Sequence, residues 1–197
     1  MLNHIERWGY MKGHDKIRGV LIGNRVVVFD INQAYKLYEE GFYGKYVGIS
    51  KPKADEEEKK PVELSLVEAL YLLERDRIEV IDEEGNVIKY DQLRDIARKN
   101  YDMFEEIYEV YKDLRSKGYV VRPGLKFGTT FAVYRYGPGI DHAPFLVHVM
   151  PFEAKLDPIE IIRAGRLSHS VRKRFIIAVV HPKTRRVHYY MFKWFKA

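Results

Sequence analysis

The uninterrupted apolar run from Phe175 to Val180 (FIIAVV) is the feature that most constrains the fold. A strand with one solvated face alternates apolar and polar residues, so a continuous apolar run predicts a strand that is buried on both faces. The segments around it predict the rest of a mixed sheet. We expect further strands at Tyr119 to Arg122, Thr129 to Tyr136, Phe145 to Pro151 and Val187 to Trp194, and a helix from Asp157 to Gly165.

The N-terminal half predicts a smaller α/β domain. Gly23-Asn24 lies between two apolar runs, which indicates a β-hairpin over Ile17 to Asp30. Ser65 is followed three residues later by Glu68, a capping box that predicts the start of a helix. We expect helices at Asn32 to Glu40, Ser65 to Arg75 and Asp91 to Lys117, the last broken near Asn100 or Tyr101, and a second hairpin from Ile78 to Ile81 and Val87 to Tyr90. The fold class is therefore α/β, with an N-terminal domain over residues 1–103 and a C-terminal domain over residues 104–197.

None of the 197 residues is cysteine, which limits the kinds of site that the chain can form. It excludes disulfides, thiolate zinc sites and a cysteine nucleophile, and it fits a reducing compartment. No apolar stretch near the N-terminus resembles a signal peptide, and no run reaches the ~20 apolar residues needed to span a bilayer. We therefore expect a soluble, cytoplasmic protein.

The net charge of +6 conceals a strong asymmetry between the two halves of the chain. Residues 1–111 contain 17 Lys and Arg against 23 Asp and Glu, whereas residues 112–197 contain 17 against 5, a net charge of +12. A basic domain attracts polyanions because neutralising their phosphates releases counterions. The C-terminal half is therefore expected to bind nucleic acid, with an acidic protein partner or a merely solvated basic surface as alternatives.

Three side chains in the basic half have the properties that RNA cleavage without a metal requires. The reaction needs a base for the ribose 2′-hydroxyl, an acid for the departing 5′-oxygen and a cation for the charged transition state. Tyr134 lies in a predicted strand, His142 follows a Gly-Pro-Gly loop, and Lys173 leads into the apolar run. Histidine titrates near neutrality and can supply a proton. A tyrosine, whose pKa is about 10, needs neighbouring Lys and Arg to lower that value.

Other residues compete for each of these roles. The chain has 15 tyrosines, most of which must be ordinary packing residues, and Tyr136 lies close to Tyr134. His148 and His169 are alternative histidines. Lys173 stands between two arginines, where plain attraction of phosphate explains a cation equally well.

Four segments of the chain resemble the archaeal tRNA-splicing endonucleases. They are LSLVEALYLL (64–73), YKDLRSKGYVVRPGLKFG (111–128), YRYGPGIDHAPFLVHV (134–149) and RLSHSVRKRFIIAVV (166–180). The resemblance extends over nearly the whole chain, in the family's order. It implies a small α/β N-terminal domain and a C-terminal mixed-sheet nuclease domain of the restriction-endonuclease-like type.

The resemblance also implies roles for individual residues. Tyr134 is implied as general base, His142 as general acid and Lys173 as transition-state stabiliser, with no cofactor. The implied substrate is precursor tRNA with intron junctions folded as a bulge-helix-bulge, and the implied products carry a 2′,3′-cyclic phosphate and a 5′-hydroxyl. Arg166 matches the family arginine that packs against a flipped bulge base, and unpaired RNA bases commonly stack on guanidinium planes.

Two other functions stay open at this point. Asp141 with Glu153 and Lys155 superficially resembles the pattern of magnesium-dependent nucleases, in which carboxylates hold the ion that activates water. Alternatively, the chain is a non-catalytic subunit that serves structure or RNA binding. The family includes such subunits, but they lack the triad.

The chain departs from the family in the loop between the last two strands. Family members insert an acidic loop there into a basic pocket of an opposing unit, but His181 to Arg186 carries three cations and no carboxylate. Self-insertion would bring like charges together. We therefore expect a second, homologous subunit with an acidic loop, in an α₂β₂ heterotetramer, and the apolar C-terminal strand is a candidate dimer interface. The charged run from Lys51 to Lys60 predicts an added loop, and Lys45, Lys51 and Lys53 are candidate RNA contacts.

Overall fold

The computed structural model describes residues 16–48, 60–125, 128–159, 161–162, 165–166 and 172–192. The contacts divide the chain into two compact units, the first ending at Ile96 and the second beginning at Ala97. In the described part of the chain, each unit contains a five-stranded mixed sheet, which confirms the α/β class. The domain boundary after residue 103 remains a prediction from the sequence.

The first unit is built on the predicted hairpin. Its two strands pair antiparallel through a turn in which Gly23 has a φ of 58°, a conformation that favours glycine. The sheet has the order β3-β4-β2-β1-β5, and β1 and β5 are parallel. The elements are β1 (Ile17–Ile22), β2 (Arg25–Val28), α1 (Ile31–Gly41), β3 (Lys45–Tyr46), β4 (Val62–Ser65), α2 (Leu66–Glu74), β5 (Ile78–Ile81) and α3 (Tyr90–Asn100), whose last residues, from Ala97 on, belong to the second unit.

The second predicted hairpin is only partly formed, because its first strand is present as β5 but its second strand, expected from Val87 to Tyr90, is not. Beyond β5, only a single isolated bridge joins Ile81 to Val87. The main-chain amide of Lys89 donates to the side chain of Gln92 at 2.8 Å, and this local bond starts α3 at Tyr90. The helix start therefore ends the second strand after a short pairing in which the amide of Ile88 donates to the carbonyl of Val80 at 2.8 Å, while the other edge of β5 pairs with β1.

The second unit contains the apolar run as the inner strand β9. Its sheet has the order β10-β9-β8-β7-β6, in which β8 and β9 are parallel and the other neighbours are antiparallel. Phe175, Ile177 and Val179 join an apolar cluster on one face. The opposite face carries α4, whose Asp113 accepts a hydrogen bond from Tyr189. The elements are α4 (Phe104–Ser116), β6 (Val120–Pro123), β7 (Phe131–Tyr134), β8 (Phe145–Met150), β9 (Arg174–Val180) and β10 (Val187–Met191).

The connection from β8 to β9 includes helical residues at 158–159, 161–162 and 165–166. Asp157 accepts a hydrogen bond from the amide of Ile159 at 2.8 Å, as expected of the predicted cap. The final strand ends at Met191, and Trp194, the end of the predicted strand, lies outside the described residues. The break predicted near Asn100 is confirmed, because α3 ends there and α4 begins at Phe104. None of the helices in the described ranges has the length and apolar character needed to cross a bilayer.

The buried carboxylate of Glu68 ties α2 to the loop before β3. It completes the predicted capping box by accepting from the amide and hydroxyl of Ser65 at 2.9 and 2.7 Å. Its other oxygen accepts from the amide of Gly44 at 3.0 Å. Gly44 has a φ of 68°, and a Cβ there would lie 2.6 Å from the carbonyl oxygen of Glu63. The close approach therefore needs glycine, and Glu68 satisfies its amide.

We predict that Glu68→Ala lowers the free energy of unfolding by about 2–3 kcal/mol, because it removes the side-chain half of the capping box and leaves the amides of Gly44 and Ser65 without their acceptor. Chemical denaturation of the purified chain measures the change. Glu84→Ala, which removes an exposed carboxylate in a turn, is the control and should change stability by less than about 0.5 kcal/mol. Equal stability of the two variants would contradict the assignment.

Candidate active site

The register of three strands brings the predicted residues to one end of the second sheet. Val133 pairs with Phe145 in the antiparallel β7–β8 pair, and Phe145 pairs with Arg174 in the parallel β8–β9 pair. Thus β7 ends where β8 and β9 begin. Tyr134 is the last residue of β7, His142 lies in the β7–β8 loop, and Lys173 immediately precedes β9.

Lys173 is bonded directly to the loop that contains His142. Its ammonium donates to the carbonyl oxygen of Ala143 at 2.7 Å, and the next amide, of Arg174, donates to the carbonyl of Pro144 at 2.9 Å. The Lys173 side chain is partly buried, and this burial lowers its pKa below the usual value, while the negative charge of Asp141 acts in the opposite direction. The site thus holds a partly desolvated cation against the loop that contains His142.

Tyr134 lies at the rim of the apolar cluster, which contains Ala132, Ala143, Leu146 and Phe175 among its members. Arg122 is its diagonal neighbour on the same face, since Arg122 is opposite Ala132 and Val120 is opposite Tyr134.

Burial raises the pKa of Tyr134 above its usual value; the charge of Arg122 opposes this rise and that of Asp141 reinforces it. The expected lowering of this pKa by neighbouring cations is therefore wrong in net direction, because burial outweighs the guanidinium.

His142 is exposed in a loop whose backbone is strongly constrained. The carboxylate of Asp141 accepts from the amides of Arg135, Tyr136 and Gly137 at 3.1, 3.4 and 2.8 Å. Gly137 and Gly139 have φ values of 139° and 85°, which explains the Gly-Pro-Gly sequence. The histidine is therefore presented to solvent from a fixed turn.

The competing residues take other positions. Tyr136 projects beyond β7 with 67% of its surface exposed, and His148 lies within β8. His169 lies outside the described residues. Of the three histidines considered, His142 is the one on the loop that Lys173 contacts.

The predicted RNA contacts are only partly described. Arg166 is helical and exposed on the β8–β9 connection. Lys45 is on β3 in the first unit, where its ammonium forms an ion pair with Glu63 at 2.8 Å. Lys51 and Lys53, with the rest of the predicted loop up to residue 59, lie outside the described residues.

The carboxylates of the magnesium alternative are not presented as a set. Both oxygens of Asp141 face backbone amides, and Glu153 is exposed in a turn after β8. In the described ranges, no group of three or more His, Asp or Glu side chains is placed to hold a metal ion.

Sequence reasoning missed two residues of this site. Arg122 becomes visible only through the β6–β7 register. The sequence pattern indicates Asp141 only as a metal ligand, although Asp in a turn often accepts hydrogen bonds from nearby amides.

The basic loop between β9 and β10 is folded onto its own unit. His181 accepts through Nδ1 from the amides of Lys183 and Thr184, each at 3.2 Å. Arg185 lies 3.8 Å from a carboxylate oxygen of Glu109 and donates to the carbonyl of Glu105 at 3.4 Å. The loop is thus a closed, cationic turn at the end of an edge strand.

Comparison with known proteins matches both units. The family of tRNA intron endonuclease catalytic C-terminal domains matches residues 104–189, and that of the N-terminal domains matches residues 17–94. A tRNA-splicing endonuclease of Hyperthermus butylicus is 52% identical over 180 residues, which cover 91% of this chain and 99% of the relative. The tRNA-splicing endonucleases of Saccharolobus islandicus and Saccharolobus solfataricus are 43% and 42% identical, again over 91% of this chain and 99% of each relative. Because both domains match in order and the similarity extends over most of the chain, the protein belongs to the tRNA-splicing endonuclease family.

Proposed function

We propose that this chain is the catalytic subunit of a tRNA-splicing endonuclease that cuts precursor tRNA at bulge-helix-bulge junctions without a metal ion. The observation that carries the proposal is the 2.7 Å bond from Lys173 to the carbonyl of Ala143, next to His142, at the sheet end where Tyr134 also lies. A non-catalytic subunit has no need for these three side chains together.

The proposed reaction is a transesterification. The ribose 2′-oxygen forms a bond to the adjacent phosphorus, and the bond from phosphorus to the 5′-oxygen breaks. Tyr134 takes the proton of the 2′-hydroxyl, His142 gives a proton to the departing oxygen, and Lys173 stabilises the charge on the phosphorane. The products are a 2′,3′-cyclic phosphate and a 5′-hydroxyl.

We predict that His142→Ala and Lys173→Ala each slow cleavage roughly 100-fold or more, because each removes a group that acts in the transition state. Single-turnover kinetics on a bulge-helix-bulge RNA measures the effect, and a binding assay should show a much smaller change. Lys89→Ala, an exposed lysine of the first unit, is the control. A near-normal rate in either site variant would refute the assignment.

Metal independence is tested separately. We predict that cleavage persists in excess EDTA and that the 3′ end of the upstream product is a cyclic phosphate, since the proposed groups transfer protons without a metal-bound water. Mass spectrometry of the product distinguishes the cyclic phosphate from a 3′-hydroxyl. Loss of activity in chelator would instead support the magnesium alternative.

The base role of Tyr134 requires a phenolate, although the resting side chain is a neutral phenol. Burial raises its pKa and so disfavours the ionised form, which leaves Arg122 as a cation that can stabilise it. Arg122 lies on the neighbouring strand, on the same face as Tyr134.

We therefore predict that Arg122→Met raises the pKa of Tyr134 further. Carbon NMR of [¹³Cζ]tyrosine protein follows the ionisation, with the Tyr134 signal assigned by its loss in Tyr134→Phe. Arg25→Met is the control; it removes a guanidinium from a strand of the first unit and should leave the signal unchanged. An unaltered Tyr134 titration in Arg122→Met would show that the guanidinium does not act on the phenol.

Substrate engagement is assigned to the exposed cations outside the triad. Arg166 stacks on an unpaired bulge base, a role that suits its planar guanidinium and its exposed position. Lys45, Lys51 and Lys53 contact the RNA backbone. Salt weakens such backbone contacts, because it reduces the gain from counterion release.

The assembly follows from the charge of the β9–β10 loop. Arg185 already pairs with Glu109 of its own unit, and Lys183 and Arg186 add further positive charge without a carboxylate. Insertion of this loop into a basic pocket of a second copy is therefore unfavourable. We propose an α₂β₂ complex with a homologous subunit that carries an acidic loop. Two copies of this chain dimerise through β10, an edge strand with Tyr190 55% exposed.

We predict that the isolated chain forms a dimer with little activity, and that an acidic-loop subunit converts it into an active heterotetramer. Size-exclusion chromatography with light scattering measures the assembly, and added salt should weaken the contact because charge drives it. A stable, fully active homotetramer would contradict the loop argument.

A further inference from the structure

The carboxylate of Asp141 is the most heavily used side chain in the loop between β7 and β8. It accepts hydrogen bonds from three consecutive amides, with the shortest, from Gly137, at 2.8 Å. Hydrogen bonds to a charged carboxylate are about twice as strong as neutral ones. One side chain therefore fixes the backbone of the segment that directly follows Tyr134.

The same residue directly precedes His142. The amides of Ile140 and Asp141 donate to the carbonyl of Gly137, each at 3.1 Å, which closes the turn. On the other side of the histidine, Ala143 is buried and its carbonyl accepts the bond from Lys173. His142 is thus held between two anchored residues, of which Asp141 links it to the end of β7.

The charge of Asp141 also acts on two of the proposed catalytic groups. It raises the pKa of Tyr134 and the pKa of Lys173, so its carboxylate lies within electrostatic reach of both side chains. These effects oppose ionisation of the phenol and favour the charged ammonium. A carboxylate in this position therefore favours the charged form of Lys173 and opposes the effect of its partial burial.

We propose that Asp141 is a positioning residue of the endonuclease, which fixes the β7–β8 loop so that His142 stands in a set place relative to Tyr134 and Lys173. This inference rests on the proposed function of these three residues. Its chemistry is hydrogen bonding to main-chain amides, not coordination of a metal.

The variants Asp141→Asn and Asp141→Ala test the proposal. Asn keeps one oxygen that can accept from Gly137, but its amino group faces backbone donors and has no acceptor there. We expect single-turnover cleavage of a bulge-helix-bulge RNA to fall roughly 10- to 100-fold in Asp141→Asn and further in Asp141→Ala, because small displacements of a catalytic group have effects of this size. The dissociation constant for the RNA should stay within about 2-fold, since these bonds are internal to the loop.

A matched control is available in the first unit. Asp82 accepts from the amides of Glu84 and Asn86 at 3.0 and 2.7 Å, so Asp82→Asn disturbs a similar turn outside the unit that contains the triad. It should leave the cleavage rate unchanged. All variants are assayed as the full chain in the assembly in which the wild type cleaves, with thermal unfolding recorded for each.

The outcomes separate this proposal from the proposed function. A full cleavage rate in Asp141→Asn, with His142→Ala and Lys173→Ala inactive, overturns the positioning role alone. A parallel loss of RNA binding and cleavage, or a lowered melting temperature that accounts for the slower rate, also overturns it, because the effect is then a general loss of structure. Wild-type rates in His142→Ala and Lys173→Ala overturn the proposed function and the positioning role with it.

Discussion

The parallel pairing of β9 with β8 is the interaction on which the candidate site depends. A parallel pair starts both strands at the same end of the sheet, and the antiparallel β7 ends there too. Lys173 therefore meets a loop that lies about 30 residues earlier in the chain, as its bond to Ala143 records. The apolar run of β9, from Phe175 to Val180, stabilises this strand pairing because it contributes to the core on both faces of the sheet.

The site combines charged groups with a hydrophobic rim, and charge and burial act in opposite directions on the pKa values of its side chains. Tyr134 packs against the apolar cluster to which Phe175 belongs, and burial then favours its neutral form. Burial likewise disfavours the charged form of Lys173. Arg122 and Asp141 counter these two effects, one for each side chain. The proposed chemistry depends on this balance, because it needs a phenol that can release a proton and an ammonium that keeps one.

In the second unit, the cations proposed to bind RNA are different from those of the β9–β10 loop. The proposed RNA contact uses exposed cations such as Arg166, whereas the β9–β10 loop uses Arg185 to bind α4 of the same unit. A cation that already contacts Glu109 is less available to an acidic partner or to phosphate. The remaining cations of that loop, Lys183 and Arg186, make it basic, and the proposal of an acidic-loop partner depends on this excess charge.

The amino-acid sequence by itself determined the local features and the family. The run from Phe175 to Val180 predicts an inner strand, and the Ser65–Glu68 capping box predicts the start of α2, because both depend on short-range hydrogen bonding and periodicity. The four long segments indicate the family, and the triad residues follow from them as hypotheses.

Only the tertiary structure decided the features that depend on long-range pairing. The parallel pairing of β5 with β1 is one such feature, because the sequence contains no local signal for a partner some 60 residues away. The expected lowering of the pKa of Tyr134 is wrong in net direction for a similar reason. Burial raises this pKa, and Phe175 and other residues that are distant in the chain produce that burial. Arg122 acquires its place beside Tyr134 from the β6–β7 register, and Asp141 acquires its partners from a folded turn. These properties depend on packing and strand register between segments that are distant in the chain, so no short stretch of sequence predicts them.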